Sequence, residues 1–593
     1  LIFNKTMVRF PPSLLQKSRL IYSSAYGSVT PVTSNLASFV LERIDGCLAK
    51  DSSFRDKPAV VCAASGRTLK FGEFGSRVSE AAEKIPKGTL LIHLPNCPEF
   101  PVAFHGALAG GNRVSTSNPL YGAKELAHQI KDAAVTSILT VEPFRQVCED
   151  AVTLVGEGES GGKTKIPVHC LGDADAPVAT ILEGGAAVSA APRVPAAADK
   201  DMDASATVAA LPYSSGTTGL PKGVMLSHSA IATNIRQCEE FFRHNPGVLD
   251  LEADPANGIA AKDVLLGVLP FFHIYGMVTC LSYSLARGST IVSMPKFDPT
   301  TFLTDLHTHK VTVAHLVPPL ILFLAASQSQ SSKHSSSQAA AASPHLKGIC
   351  CGAAPLDKAT QETVEKVLQV KVFQGYGLTE TSPVTHGDVI GHPGTIGQLV
   401  PSTEARVVTF SDDDESADDV APNEAGELLV RGPQVMLGYL NNPEATAKTL
   451  LPGGWLRTGD VAIAHSDGLT FSVVDRVKEL IKVKGLQVSP AELEGILLQH
   501  PDVTDAAVVS RPCPRSGELP HAFIVLVDNN KDDKDEGSKD KAVADVVTFV
   551  NTQVAPFKHL APDRVSNVDA IPKSASGKIL RRDLKASLLQ SLN

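Results

Sequence analysis

No stretch of this chain reaches the roughly 18 uninterrupted apolar residues that a membrane-spanning helix needs. Even the run from Val264 to Ser282 is broken by Pro270, His273 and Gly276. A basic run of the kind that tracks nucleic acid is also missing. With a formal charge of −9, a large polyanionic partner is disfavoured, although a nucleotide needs only local positive charge. The ten cysteines form no close-spaced ladder and only Cys350 and Cys351 are adjacent, which argues against a secreted disulfide framework and for a reducing compartment. No internal repeat is evident.

What the chain does have is length and apolar content. Its 593 residues, 43% of them apolar, are enough for more than one domain and at least one large core, and they make a wholly disordered chain implausible. The first twenty residues are basic, with Arg9, Lys17 and Arg19 and no acid, so a leader or extension over 1–20 is expected, although Pro11-Pro12 interrupts an amphipathic helix there. The terminal Ser-Leu-Asn is not the Ser-Lys-Leu peroxisomal address. A cytoplasmic location is the expectation, with mitochondrial and peroxisomal destinations left open, and a monomer or weak homodimer is expected.

Short apolar strands alternate with helical patterns, which predicts an α/β architecture. Leu36 to Ile44 reads as a helix burying Leu36, Phe39, Val40 and Ile44; Ala59 to Cys62 and Thr89 to Leu94 read as buried strands. Towards the C-terminus, Ser489 to Gln499 reads as a helix capped by Ser489 with Pro490 in its first turn, followed by strands Thr504 to Ser510 and His521 to Val527. The junction between the two parts is placed at Asp475-Arg476-Val477-Lys478. Three segments are expected to be solvated insertions: 327–343 from its Ser, Gln and Ala content, 412–419 from its repelling acids, and 529–541 from its dense charge.

The strongest local signal is Tyr213-Ser214-Ser215-Gly216-Thr217-Thr218-Gly219-Leu220-Pro221-Lys222-Gly223, after the apolar strand Thr207 to Leu211. Its glycines let the backbone approach a ligand, its hydroxyls and amides can surround phosphoryl oxygens, and Lys222 adds a mobile cation. The Gly-Lys-Ser/Thr ending of a Walker loop is absent. A plain turn would explain the composition, but not the combination of lysine, glycines and hydroxyls beside a re-entering element at Val224 to His228.

Together with Gln374-Gly375-Tyr376-Gly377-Leu378-Thr379-Glu380, Gly454-Trp455-Leu456-Arg457-Thr458-Gly459-Asp460 and Pro572-Lys573-Ser574-Ala575-Ser576-Gly577-Lys578, this loop resembles the motif set of the adenylate-forming superfamily of acyl-CoA synthetases, adenylation domains and beetle luciferases, most closely the 4-coumarate:CoA ligase-like branch. The resemblance runs from about Ile21 to Leu584. It implies a large multi-sheet N-terminal AMP-binding domain over 21–475 and a small, mobile C-terminal α/β lid over 476–593, hinged near Lys478, with ATP, Mg²⁺, coenzyme A and a small carboxylic acid as ligands.

The resemblance also assigns roles. Ser214, Ser215, Gly216, Thr217, Thr218, Gly219 and Lys222 would hold the departing pyrophosphate. Gly352, Ala353 and Ala354 would lie under the purine and Tyr376 along it. Thr379 would reach the α-phosphate, Glu380 would hold Mg²⁺, Asp460 would accept from the ribose, and Arg476 would serve the ribose or phosphate region. Lys578 would enter the closed site and stabilise charge as the carboxylate attacks phosphorus. Lys482, Lys484, Gly485 and Gln487 would swing inward for thiol transfer, with Lys482 and Gln487 on the adenylate and Gly485 beside the pantetheine. His273 would stand at the mouth of an acid pocket lined by Tyr275, Gly276, Gly352, Gly377, Pro383 and Val384.

One departure bears on the acid: Thr381-Ser382 stands where plant coumarate ligases carry Ala-Gly, placing larger polar residues beside Pro383. The expected reaction is acid:CoA ligation through an acyl-adenylate, the acid being 4-coumarate-like and aromatic, or a medium-chain fatty acid. The alternatives are loading of a separate carrier protein, a luciferase-like monooxygenase and a non-enzymatic binding module.

Overall fold

The computed structural model describes residues 20–156, 166–173, 202–214, 221–243, 252–331, 344–388, 391–410, 417–484, 486–527, 536–574 and 577–592. Among the described residues three sheets carry the architecture, with fifteen, seven and five strands. In the largest, the apolar strands Pro58–Cys62, Val264–Gly267, Thr290–Ser293, Val313–Leu316, Gly348–Cys351 and Lys371–Gly377 run parallel. Such strands are buried on both faces, so they read as continuous Val, Ile and Leu runs and not as alternation. Lys371–Gly377 is the switch: it is parallel to Gly348–Cys351 on one side and antiparallel to Val384–Gly387 on the other. Beyond it the sheet continues antiparallel through Gly397–Leu399, Thr470–Arg476, Trp455–Ala464 and Ala425–Arg431. A crevice beyond the carboxyl ends of strands at such a reversal is where α/β sheets receive ligands.

The seven-stranded sheet is centred on Thr89–Ile92, Arg113–Thr116 and Val208–Ser214, all parallel. The helix Leu36–Lys50 packs its buried Leu36, Phe39, Val40 and Ile44 into the main core, as its spacing predicts. The five-stranded sheet belongs to the C-terminal part, with strands Ile481–Val483, Leu486–Val488, Val503–Cys513, Gly517–Leu526 and Val565–Asn567 around a separate apolar cluster that includes Ile481, Leu493, Val508 and Ile524.

The expected insertions are only partly described. Helix Pro318–Ser331 runs through the first residues of the 327–343 segment. Asp419, in the acidic stretch, is not merely hydrated: it pairs with Arg406 at 2.7 Å. Helix Glu536–Asn551 begins inside the third segment. Among the described residues no helix is long and apolar enough to cross a membrane.

Candidate active site

The candidate residues meet because chain reversals bring strand ends together. Strands Val208–Ser214 and Lys222–Ser227 form a hairpin in which Ser214 faces Lys222 across the ladder; Ser215 to Gly219 lie outside the described residues. Strand Gly438–Tyr439 adds to the returning arm, with Tyr439 opposite Val224. The short 3₁₀ turn Thr379–Thr381 then brings Glu380 beside the hairpin. Its carboxylate accepts from the Tyr439 hydroxyl at 2.8 Å and from the Ser214 hydroxyl at 3.4 Å, while the Lys222 ammonium lies 4.9 Å from the centre of the Tyr439 ring. A lone carboxylate with hydroxyls is a ligand set that suits Mg²⁺ only when substrate phosphates complete the shell. Among the described residues no group of three His, Cys, Asp or Glu is placed to hold a metal.

Behind Glu380, Tyr376 lies on the switch strand and donates its hydroxyl to Asp460 Oδ2 at 2.6 Å. Asp460 is 4% exposed, and its other oxygen receives Arg476 Nε at 3.0 Å. The register of Trp455–Ala464 with Thr470–Arg476 sets Asp460 directly opposite Arg476. Asp460 is the main reason that the Arg476 pKa is raised. Gly352, Ala353 and Ala354 follow strand Gly348–Cys351, next to the switch, and Ala353 takes a left-handed φ of 69°.

Lys578 enters this cleft from the opposite part of the chain. Its hairpin is closed by the bridge between Lys573 and Ile579 and by Ser574 N–H donating to the Lys578 carbonyl at 2.8 Å. Gly577 has a φ of +79°, and a Cβ there would meet Val317 Cγ2 at 3.2 Å. Glycine therefore serves both the turn and the close approach. Lys578 is exposed as a residue, yet its ammonium is crowded by protein. That crowding and then Arg476 lower its pKa, while Asp460 and Glu380 act in the opposite sense. His273 is lowered to about 3 by lost hydration and then by Lys578, so its imidazole is neutral near pH 7.

A single cleft of about 3440 Å³ is lined by Ser214, Lys222, His273, Tyr275, the 352–354 segment, Tyr376, Gly377, Thr379, Glu380, Pro383, Val384, Asp460, Arg476, Lys482, Gln487 and Lys578. That volume is several times that of a single small-molecule pocket. Lys482 and Gln487 face each other across the 481–488 hairpin. Lys484 is exposed and away from the cleft lining, its N–H donating to the Ser516 carbonyl at 2.8 Å, and Gly485 is outside the described residues.

At the acid end, the Tyr275 hydroxyl donates to the Cys350 carbonyl at 3.1 Å and lies 3.3 Å from His315 Nδ1. Tyr275 opens a π-helical stretch, Tyr275–Ser282, a wide-turn geometry frequent at functional sites. A Cβ on Gly352 would sit 2.8 Å from Tyr275 Cε1. Two glycines are small for another reason than acyl space. Gly276 is not on the cleft wall and a Cβ there would overlap the Pro270 carbonyl; a Cβ on Gly377 would overlap the Pro383 carbonyl. Thr381 and Ser382 stand beside Pro383 but are fully buried. The Thr381 hydroxyl closes the turn, donating to the Pro383 carbonyl at 2.5 Å and accepting from Leu378 N–H at 2.9 Å.

Two residues here escaped the sequence reading. Tyr439 carries no motif, and its tie to Glu380 spans 59 positions. Asp475 enters the sequence reading only as part of the domain junction, whereas it is 8% exposed and bonded to Ser489.

Comparison with known proteins agrees with this geometry. The AMP-binding enzyme family model matches residues 49–440, and the AMP-binding enzyme C-terminal domain model matches 492–578. The chain is 35% identical over 564 residues to 4-coumarate–CoA ligase 2 of Solanum tuberosum, covering 92% of this chain and 94% of that one. It is 37% identical over 560 residues to 4-coumarate–CoA ligase 3 of Arabidopsis thaliana, covering 91% and 90%. Two solved structures share the fold. One is ATP-bound MatB from Rhodopseudomonas palustris, with TM-score 0.74, 24% identity and coverage of 94% and 99%. The other is the anthranilate CoA ligase AuaEII with anthranoyl-AMP, with TM-score 0.75, 21% identity and coverage of 94% and 98%. The chain therefore belongs to the AMP-binding enzyme family, among the adenylate-forming acyl-CoA synthetases related to 4-coumarate:CoA ligases, and is an ATP-dependent acid:CoA ligase working through an acyl-adenylate.

Proposed function

We propose that the acid is an aromatic one of the 4-coumarate type, with a medium-chain fatty acid as the second reading. Support comes from the relatives named above and from the pocket residues Tyr275, Gly352, Gly377, Pro383 and Val384, which carry no charge and offer a ring face beside small and aliphatic groups. A tail bearing a second charge would find no partner in that set. The reaction runs as ATP plus carboxylate to acyl-adenylate and pyrophosphate, then acyl-adenylate plus the thiol of coenzyme A to thioester and AMP.

The observation that carries the mechanism is the meeting of Lys578 with Glu380, Asp460 and Arg476 in one cleft. In the first step the attacking carboxylate is already ionised near pH 7, so no general base is needed. Lys578 places its positive charge where the transition state spreads negative charge over carboxylate and α-phosphate. Ser214 and Lys222 hold the leaving pyrophosphate and Thr379 the α-phosphate, while Glu380 would hold Mg²⁺, which would supply positive charge against the phosphates. Tyr376 lies along the adenine over the 352–354 wall, and Asp460 and Arg476 take the ribose. Neutral His273 stands at the acid's mouth without competing for its charge.

In the second step the lid, taken as 476–593 against a large domain of 21–475, turns about Lys478 and exchanges the Lys578 hairpin for the 481–488 hairpin. Lys482 and Gln487 then touch the adenylate, and Lys484 and Gly485 flank the thiol's path. Purified protein is assayed against hydroxycinnamates, benzoates and C6 to C16 fatty acids for CoA-dependent AMP release. Preference for hydroxycinnamates is expected, and preference for the fatty acids would select the second reading. Cytoplasmic placement and a monomeric or weakly dimeric state complete the proposal, tested by cell fractionation and size-exclusion chromatography.

A further inference from the structure

We propose that Asp475 is a positioning residue that holds the C-terminal lid in the pose where Lys578 serves adenylation. The proposal rests on the two-pose reading above.

Asp475 lies on the last strand of the large sheet, opposite Val461 and one residue before Arg476. Its Oδ2 accepts from the Ser489 hydroxyl at 2.6 Å and from Ala491 N–H at 3.0 Å, while Oδ1 accepts from Arg476 N–H at 2.7 Å. The Ser489 hydroxyl also lies 3.2 Å from the Val474 carbonyl and accepts from Glu492 N–H at 3.2 Å. A buried carboxylate thus takes up a free N–H at the start of helix Pro490–Leu497, where orphan N–H groups and the helix dipole favour an anion.

The same helix grips the catalytic hairpin further along. Both oxygens of Glu494 receive Arg581 Nη2 at 2.7 Å, and Oε1 also receives Val508 N–H at 2.7 Å. Arg581 begins the helix Arg581–Ser591, three residues after Lys578. At the hairpin's other arm Lys573 pairs with Asp505 at 2.6 Å. Position therefore passes from Asp475 through one short helix to Glu494, Arg581 and Lys578.

These contacts differ in one respect. Glu494–Arg581 and Lys573–Asp505 lie within the lid and travel with it. The bonds from Asp475 and Val474 cross Lys478, so a rotation there must break them. Removing a contact made only in one pose shifts the population towards the other.

The test uses the full chain and its two half-reactions. Asp475→Ala is expected to slow acid-dependent ATP–pyrophosphate exchange about tenfold, as for loss of a hydrogen bond to a charged group, while thiol transfer from preformed acyl-adenylate is kept or accelerated. Ser489→Ala, which leaves the carboxylate in place, should shift the same ratio by a smaller factor. Lid pose is read independently by energy transfer between labels at Leu322→Cys and Leu589→Cys, both exposed on the two sides of the cleft, in a Cys513→Ser background. Both Asp475→Ala and Ser489→Ala should alter the transfer. Equal slowing of both half-reactions, or an unchanged ratio and unchanged transfer, overturns the proposal. Wild-type protein that performs neither half-reaction would overturn the two-step reading instead, and the label signal would still decide whether Asp475 sets the pose.

Discussion

The Tyr376 hydroxyl donates to the Asp460 carboxylate at 2.6 Å, and the same carboxylate receives Arg476 at 3.0 Å. The pair proposed above to flank a nucleoside is thus preorganised, with Asp460 locked by a neighbour on each side.

Tyr376→Phe keeps the ring and removes that donor. A hydrogen bond to a buried charge is worth about 1.5–3 kcal/mol. The KM for ATP is expected to rise about tenfold, with the KM for the acid nearly unchanged. Steady-state kinetics with each substrate varied checks this, and an equal rise in both constants would count against a nucleoside role.

Tyr439→Phe removes the hydroxyl that orients Glu380 while keeping the face beneath Lys222. The Mg²⁺ concentration needed for half-maximal exchange should rise several-fold, in line with the effect of losing a partner that orients a metal ligand. Calorimetric titration of ATP with and without Mg²⁺ gives a readout besides turnover. The difference between the two affinities should narrow in the variant and stay unchanged if Tyr439 only packs.

Lys578→Ala and Lys482→Ala should divide the reaction. The first is expected to depress ATP–pyrophosphate exchange by about 10² or more, as for loss of a transition-state contact, and to spare transfer from preformed adenylate. The second should spare exchange and slow thioester formation. If both variants lose both activities equally, the division of labour between the two hairpins is wrong.

Gly352→Ala tests the acid pocket. The added methyl would lie 2.8 Å from Tyr275 Cε1, and overpacking of this kind costs about 1–3 kcal/mol. The ring must move towards the acid, so the KM for aromatic acids should rise about tenfold or more, with a smaller effect for a flexible chain. An unchanged acid preference would place the acyl group elsewhere.

Much of this site is legible from sequence because its residues sit in contiguous motifs whose chemistry is local: hydroxyls and glycines before Lys222, an aromatic and a carboxylate around Gly377, a lysine in a Gly/Ser hairpin. What local text hides is long-range or steric. Tyr439 reaches Glu380 only through pairing of distant strands. Asp475 carries no motif role of its own, yet it is buried and its carboxylate accepts from Ser489 and Ala491. Gly276 and Gly377 suggest room for substrate, but neighbouring carbonyls set their size. The fold class follows from buried parallel strands, whereas the reversal at Lys371–Gly377 is a change of pairing direction, parallel to Gly348–Cys351 and antiparallel to Val384–Gly387, that no local residue pattern marks.

Stability should fall as pH drops below the ordinary histidine range. His93, His105 and His386 are fully buried and His315 is 5% exposed. Burial lowers their pKa values to about 4, 4, 3 and 4 respectively, from an ordinary 6.5. Between those values and 6.5 the unfolded chain binds protons that the folded chain does not, so the folded state loses ground as pH falls, by about 1.4 kcal/mol per histidine for each pH unit at most. Two carboxylates oppose this. Burial raises Glu494 to about 7 and Asp45 to about 6, so below those values they hold protons in the folded state and favour it. Four histidines outweigh two acids, and the apparent Tm should be flat between about pH 7 and 8 and fall between about pH 6.5 and 5. A Tm that held steady over that interval would mean that these imidazoles are hydrated, and that their elements open to water more readily than the packing around them implies.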